Sequence, residues 1–124
     1  MSKLNLEDKT TIALWSFLTR LDEDTLDSTL RMHVKGYTLS EAEIEKSKDI
    51  IVDMKGTRID NLDTDDCEAL RALLSRAGAD TIESVLSQKW AGIQLTKKQI
   101  EEYRFEIFRF YSLCLYIPFQ DKKK

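Results

Sequence analysis

The chain has 124 residues, 42% hydrophobic and 33% charged, an ordinary globular mixture that suits one compact domain or two small units sharing a core. Nineteen basic residues against twenty-two acidic ones give a net charge of -3, which argues against phosphate-backbone binding as the main activity, since that depends on Lys and Arg. No apolar run approaches the roughly 20 residues that span a bilayer, and Met1–Thr10 is polar and mixed in charge, unlike a signal peptide.

A single Pro and four Gly leave few breakers, so helices are expected throughout. Displacing the sequence by 56 residues lays Asp8–Met54 over Thr64–Phe110 without a gap, and thirteen of the 47 positions are identical. Chance would give on the order of three. Similarity at a fixed period dictates architecture before any other feature does. The expected fold is therefore all-α: six helices, as a tandem duplication of a three-helix unit sharing one core. The first repeat is expected over residues 1–59 and the second over 60–124.

In chain order, helix one of each copy is expected to start near Asp8 and Thr64, both residue types that cap helices well. Ile12, Leu14, Trp15, Leu18 and Leu21 recur at helical spacing behind the first start. Helix two is expected to start after Asp24 and Asp80, to carry Leu26 and Leu30 (Ile82 and Leu86 in the second copy) on one face, and to stop at Gly36 and Gly92. Helix three has the sharpest start signal. Ser40-Glu41-Ala42-Glu43 and Thr96-Lys97-Lys98-Gln99 both read as capping boxes, with Leu39 and Leu95 placed for a hydrophobic staple. The copies then diverge. The first ends in Lys55-Gly56 and an acidic connector, Asp60–Asp66. The last helix of the second runs on through Tyr103, Phe105, Phe108, Phe110, Tyr111 and Tyr116 towards Pro118, which should end it, before Phe119 and a frayed tail.

Two readings stand for this aromatic helix: the central helix of the shared core, or in part a surface for a partner or for a second copy of the chain in a homodimer. Two also stand for the acids around helix two and the connector (Asp22, Glu23, Asp24, Asp27, then Asp60, Asp63, Asp65, Asp66 and Glu68). They are solvent-facing charges that complement helix dipoles, or a recognition surface for a basic partner. Asp60, Asp63 and Asp65 lack the ladder and the final Glu of a calcium loop. Cys67 and Cys114 are far apart and in no metal-ligand spacing, so they read as free buried thiols of a reducing compartment, the cytoplasm. His33, the only histidine, is matched by Lys89 in the second copy, a poor exchange for a catalytic base. No nucleophile elbow, Gly-rich phosphate loop or zinc-protease motif occurs. No catalytic residue, cofactor or metal site is expected.

Asp24-Thr25-Leu26-Asp27, followed by Gly36-Tyr37-Thr38-Leu39-Ser40-Glu41-Ala42-Glu43, resembles the Hha/YmoA family of small enterobacterial expression modulators. Their pattern joins a D-T-L-E helix, a K-Y-x-L-S turn and a long third helix with an acidic cap. Asp80-Thr81-Ile82-Glu83 and Gly92-Ile93-Gln94-Leu95-Thr96 repeat it more loosely, so the chain is similar to a tandem pair over Leu14–Met54 and Leu70–Phe110. The resemblance implies a non-enzymatic modulator of gene expression that binds the N-terminal dimerisation region of the histone-like nucleoid-structuring protein. In the family an acid of helix two meets basic residues of that partner. The corresponding partner-binding positions are Asp27 and Glu83, with Asp24 and Asp80 beside them. Asp53 stands one place out of register with the family's second contacting acid, and Arg109 occupies its site in the second copy.

The function expected from these features is modulation of transcription through an acidic helical face, with another protein as partner and neither nucleic acid nor membrane. The alternative is a small acidic inhibitor (an immunity protein, an antitoxin or a phage anti-host protein) that covers the basic site of one bacterial target.

Overall fold

A computed structural model of the chain describes residues 4–5, 8–32, 38–55 and 61–116. Five helices form among the described residues: α1 (Asp8–Arg20), α2 (Glu23–Leu30), α3 (Glu41–Lys55), α4 (Thr64–Leu86) and α5 (Lys97–Tyr116). A two-residue antiparallel ladder joins β1 (Leu4–Asn5) to β2 (Asn61–Leu62), pairing Leu4 with Leu62 and Asn5 with Asn61. Apart from that ladder and an isolated Trp90–Ile93 bridge, the described regular structure is helical.

Five helices stand where six were expected because α4 runs through the place of a helix break. The first half leaves its helix at Leu21 and restarts at Asp22, whose extended backbone (φ -82°, ψ 168°) and side chain cap Thr25. Fifty-six residues on stands Gly78, with no side chain to cap anything. It turns the chain within a single residue at φ 73° and ψ 165°, and helical geometry resumes at once, so α4 joins two helical stretches across one non-helical residue.

The second helices are also placed differently from expectation. Asp22 rather than Asp24 caps α2, and the helix ends at Leu30 well short of Gly36, which lies outside the described residues. α4 likewise ends at Leu86, well before Gly92. Just beyond both ends, the Met32 carbonyl accepts from Arg76 Nε at 3.0 Å and the Gln88 carbonyl from Arg20 Nε at 2.9 Å. Gly92 instead sits in a tight turn closed by two hydrogen bonds between Trp90 and Ile93, with Ala91 at φ 53° and Gly92 at φ 79°.

Other starts follow local chemistry. The Ser40 N–H donates to Glu43 Oε1 at 2.8 Å and the Glu43 N–H to Ser40 Oγ at 3.1 Å. Thr96 and Gln99 repeat the exchange at 2.9 and 3.1 Å. A further box, absent from the sequence reading, is made by Asp63 and Asp66 at the head of α4, so the acidic connector is partly a cap and Thr64 is the first residue inside the helix.

One hydrophobic cluster draws on all five helices. Leu14, Phe17 and Leu18 of α1, Leu26 of α2, Ile51 of α3, Leu70 and Leu73 of α4 and Ile107 of α5 are wholly buried within it. α1 packs most extensively on α5, and α3 on α4, so each half lays its last helix on the other half's first. Two nearly buried arginines tie the halves further. Arg20 also donates to the carbonyls of Ser16 at 3.0 Å and Ile93 at 3.2 Å, and Arg76 to the carbonyl of Ala72 at 3.0 Å.

Replacing Phe17 by Ala removes a ring at the centre of this cluster and should lower unfolding free energy by about 3–5 kcal/mol in urea titration. Gly78→Ala tests the kink. No atom lies within 4 Å of the position a Cβ would take, so the expected loss of about 1–3 kcal/mol comes from backbone conformation alone. A neutral result would mean that the kink is not held in that conformation.

Candidate protein-binding surfaces

The five acids proposed from sequence do not form one cluster. Asp24 is exposed in the first turn of α2 and Asp80 just after the kink of α4. Asp53 is exposed near the end of α3. Asp27 and Glu83, the pair carried by the family resemblance, are each engaged within their own half. Asp27 accepts from Arg31 at 2.8 Å and from Lys48 of α3 at 3.1 Å, while Glu83 accepts from Arg104 of α5 at 2.9 Å. Lys48 and Arg104 are themselves 56 positions apart.

Around Asp27 these contacts grow into a network, because Arg31 also holds Glu41 and Lys48 approaches Glu45 at 3.7 Å. The Arg31 guanidinium, with Lys48 adding to it, keeps the Asp27 carboxyl below the usual carboxylate range. The same guanidinium lowers Glu41, and Asp27 in turn raises Lys48. Asp22 is lowered by the Thr25 N–H that it accepts, whereas burial pushes Asp66 up.

The wider surface of α2 and α3 is strongly acidic. Asp22, Glu23, Asp24, Glu41, Glu43, Glu45, Asp49 and Asp53 are all exposed, and among the described residues only Arg31 and Lys46 are exposed cations beside them. Eight carboxylates against two cations concentrate here more negative charge than the whole chain's net -3. The surface of α1 and α5 differs. Asp8, Glu101 and Glu102 are balanced there by Lys9, Lys97, Lys98 and Arg109, and between the two helices lies an open groove of about 580 Å³ lined by Ile12, Tyr103 and Phe105 together with Lys9, Glu101, Glu102 and Glu106. A second groove of about 550 Å³, between α3 and α4, is lined mainly by polar residues such as Lys46, Ser47, Asp65, Glu68 and Ser75.

The aromatic helix divides between the two roles left open for it. Ile107 and Phe110 point into the core, Tyr103 and Tyr111 pack partly against it, and Phe105 and Phe108 are exposed. Sequence reasoning missed Ile12 and Trp15 as surface residues, because their helical spacing looked like core. It also missed the cations that occupy Asp27, although Arg31 stands four residues after it, the spacing at which helical side chains meet.

Among the described residues no group of three or more His, Cys, Asp or Glu is placed to hold a metal ion, and no helix is long and apolar enough to cross a membrane. His33, Pro118, Phe119 and the tail lie outside the described residues, as do the side chains of Cys114 and Tyr116, while Cys67 is buried. In comparison with known proteins, no family model, no curated protein and no solved structure matches the chain.

The lowered Asp27 carboxyl gives a signed pH dependence. A group whose native pKa lies below its unfolded value, about 4 for Asp, stabilises the fold above that value and loses this contribution as pH falls through the native one. Asp27→Asn should therefore lower the melting temperature at neutral pH, and the gap from the parent chain should be narrower at about pH 2. An equal gap at both would show that the substitution acts through something other than charge.

Proposed function

We propose that the chain is a tandem duplication of a three-helix unit, folded as an internal pseudo-dimer, and that it works as a non-enzymatic protein-binding module. Contacts between positions 56 apart support the duplication. Asn5 pairs with Asn61 in an antiparallel ladder, as two-fold-related residues must when they meet at their own axis. Arg20 bonds the carbonyl of Gln88 while Arg76 bonds that of Met32, so each arginine holds the equivalent carbonyl of the opposite half. Asp27 with Lys48 and Glu83 with Arg104 repeat one ion pair within each unit.

The observation that carries the binding reading is the excess of exposed carboxylate on α2 and α3, eight groups against two exposed cations. Such a surface draws in a basic partner and rejects nucleic acid and other acidic surfaces. Given the resemblance to the Hha/YmoA family, the proposed partner is the dimerisation region of a histone-like nucleoid-structuring protein, and the outcome is altered gene silencing. Asp27 and Glu83 then serve through their pairs with Lys48 and Arg104, which set α2 against α3 and the end of α4 against α5. Direct contact falls to Glu23, Asp24 and their exposed neighbours.

Calorimetry of the full chain with that region tests the proposal. Binding should weaken markedly between about 50 and about 300 mM salt, and by about tenfold or more on joint reversal of Glu23 and Asp24 to Lys. Absence of binding at low salt, or binding indifferent to both changes, would remove this partner and this face. Selective capture of one enzyme from a bacterial lysate, with inhibition of it, would put an inhibitor in its place.

A further inference from the structure

The two open grooves occupy equivalent places where the halves meet, one between α1 and α5 and the other between α3 and α4. Lys9, Glu102 and Glu106 line the first, and the residues 56 positions away, Asp65, Lys46 and Ile50, line the second. The charges are inverted between them. Lys46 of α3 stands 3.8 Å from Asp65 of α4, a base from the first half against an acid from the second. At the matching place Lys9 of α1, again from the first half, shares its groove with Glu102 of α5, again from the second. The first half thus brings a base to both grooves, and the second half brings an acid to both. A third position follows suit. Glu106 accepts from Thr10 Oγ1 at 3.2 Å, and the matching positions carry Asp66 for Thr10 and Ile50 for Glu106.

Like halves would meet differently. Two first halves would set Lys9 against Lys46 of the other copy. Two second halves would set Asp65 against Glu102 and, further from water, the half-buried carboxyls of Asp66 and Glu106 against each other. Two-fold symmetry would repeat each clash. The core offers no such discrimination, because Leu14 and Leu70, like Ile51 and Ile107, are the same residue in both halves and equally buried. Nor do the arginines, since Arg20 and Arg76 take backbone carbonyls of a kind that either half presents.

We propose that charge makes the pairing of the halves one-way: each half accepts the other and refuses a copy of itself, so neighbouring chains do not join like half to like half. The inference rests on the pseudo-dimer reading and on no particular partner of the acidic surface. An exposed ion pair is weak by itself. Selectivity is the difference between two pairings, and here attraction in one becomes repulsion in the other at both grooves.

Urea titration of full-length variants at low salt tests it. Lys9→Glu with Asp65→Lys puts like charges into both grooves at unchanged net charge, and Lys46→Glu with Glu102→Lys does so from the opposite walls. Each double variant should lower the folding equilibrium constant by about fivefold to thirtyfold, and about 1 M salt should remove most of that loss. All four substitutions together return opposite charges to both grooves and should recover the parent value to within about threefold. Unchanged stability in both double variants overturns the proposal, and so do losses that simply add in the fourfold variant. If a double variant fails to fold, the fourfold variant must still fold, and its failure again overturns the proposal. Halves that do not superpose in a solved structure would instead remove the pseudo-dimer reading itself.

Discussion

The arginines that close the first helix of each half are the constraint on which the rest of the structure depends. A guanidinium nearly excluded from solvent needs acceptors for its fixed fork of donors, and the cost of leaving them unmet is large. Arg20 finds its acceptors in the carbonyls of Ser16, Gln88 and Ile93. Two of the three belong to the far half of the chain. Those carbonyls lie in an irregular stretch, so the arginine does for the end of α4 what no helical N–H does. Arg76 repeats the arrangement at Met32. A carbonyl just past each second helix is therefore held by the opposite half, and a half by itself has no group to meet its own arginine in this way.

That dependence explains which features could be read from sequence. Ser40 with Glu43 and Thr96 with Gln99 were legible because a capping box closes within four residues and needs nothing distant. The buried faces of Leu14, Leu18, Leu26 and Ile51 were legible for the same reason, since helical periodicity is local. The contacts just past the ends of α2 and α4 were not, because the arginines that hold those carbonyls come from 44 positions later in one case and 68 earlier in the other. Glycine misled at Gly92, where two consecutive left-handed residues make a tight turn, and Gly78, where a single residue takes up the whole kink, was not singled out.

The candidate surfaces were legible in kind and not in detail. A cluster of acids around α2 is plain in the sequence, but the engagement of Asp27 by Arg31 and Lys48 depends on α3 crossing beside α2. Once paired, that carboxylate contributes less field to a partner than its exposed neighbours do, because its nearest charges have the opposite sign. The aromatic run on α5 was visible as a run only. Which of its rings face water depends on how α1 and α4 pack on α5, and Ile107 and Phe110 are buried there while Phe105 stays at the groove's edge.

A chain made of two similar units gains an option that a dimer of identical units lacks: its two equivalent surfaces can change separately. In a true two-fold dimer a substitution that makes one groove apolar makes both so, and the doubled apolar surface invites heterologous contacts that do not close. Joined in one chain, the groove beside α1 can hold Ile12 and Phe105 while its counterpart keeps Glu68 and Asp49. The acids likewise gather on α2 and α3, whereas Lys97 and Lys98 open α5 where Glu41 and Ala42 open α3. The core positions that hold the halves together stay matched, as Leu14 with Leu70 and Ile51 with Ile107 remain wholly buried. The halves differ most at surface positions, where packing imposes least, and exposed carboxylates crowd α2 and α3 while exposed Ile12 and Phe105 stand on α1 and α5.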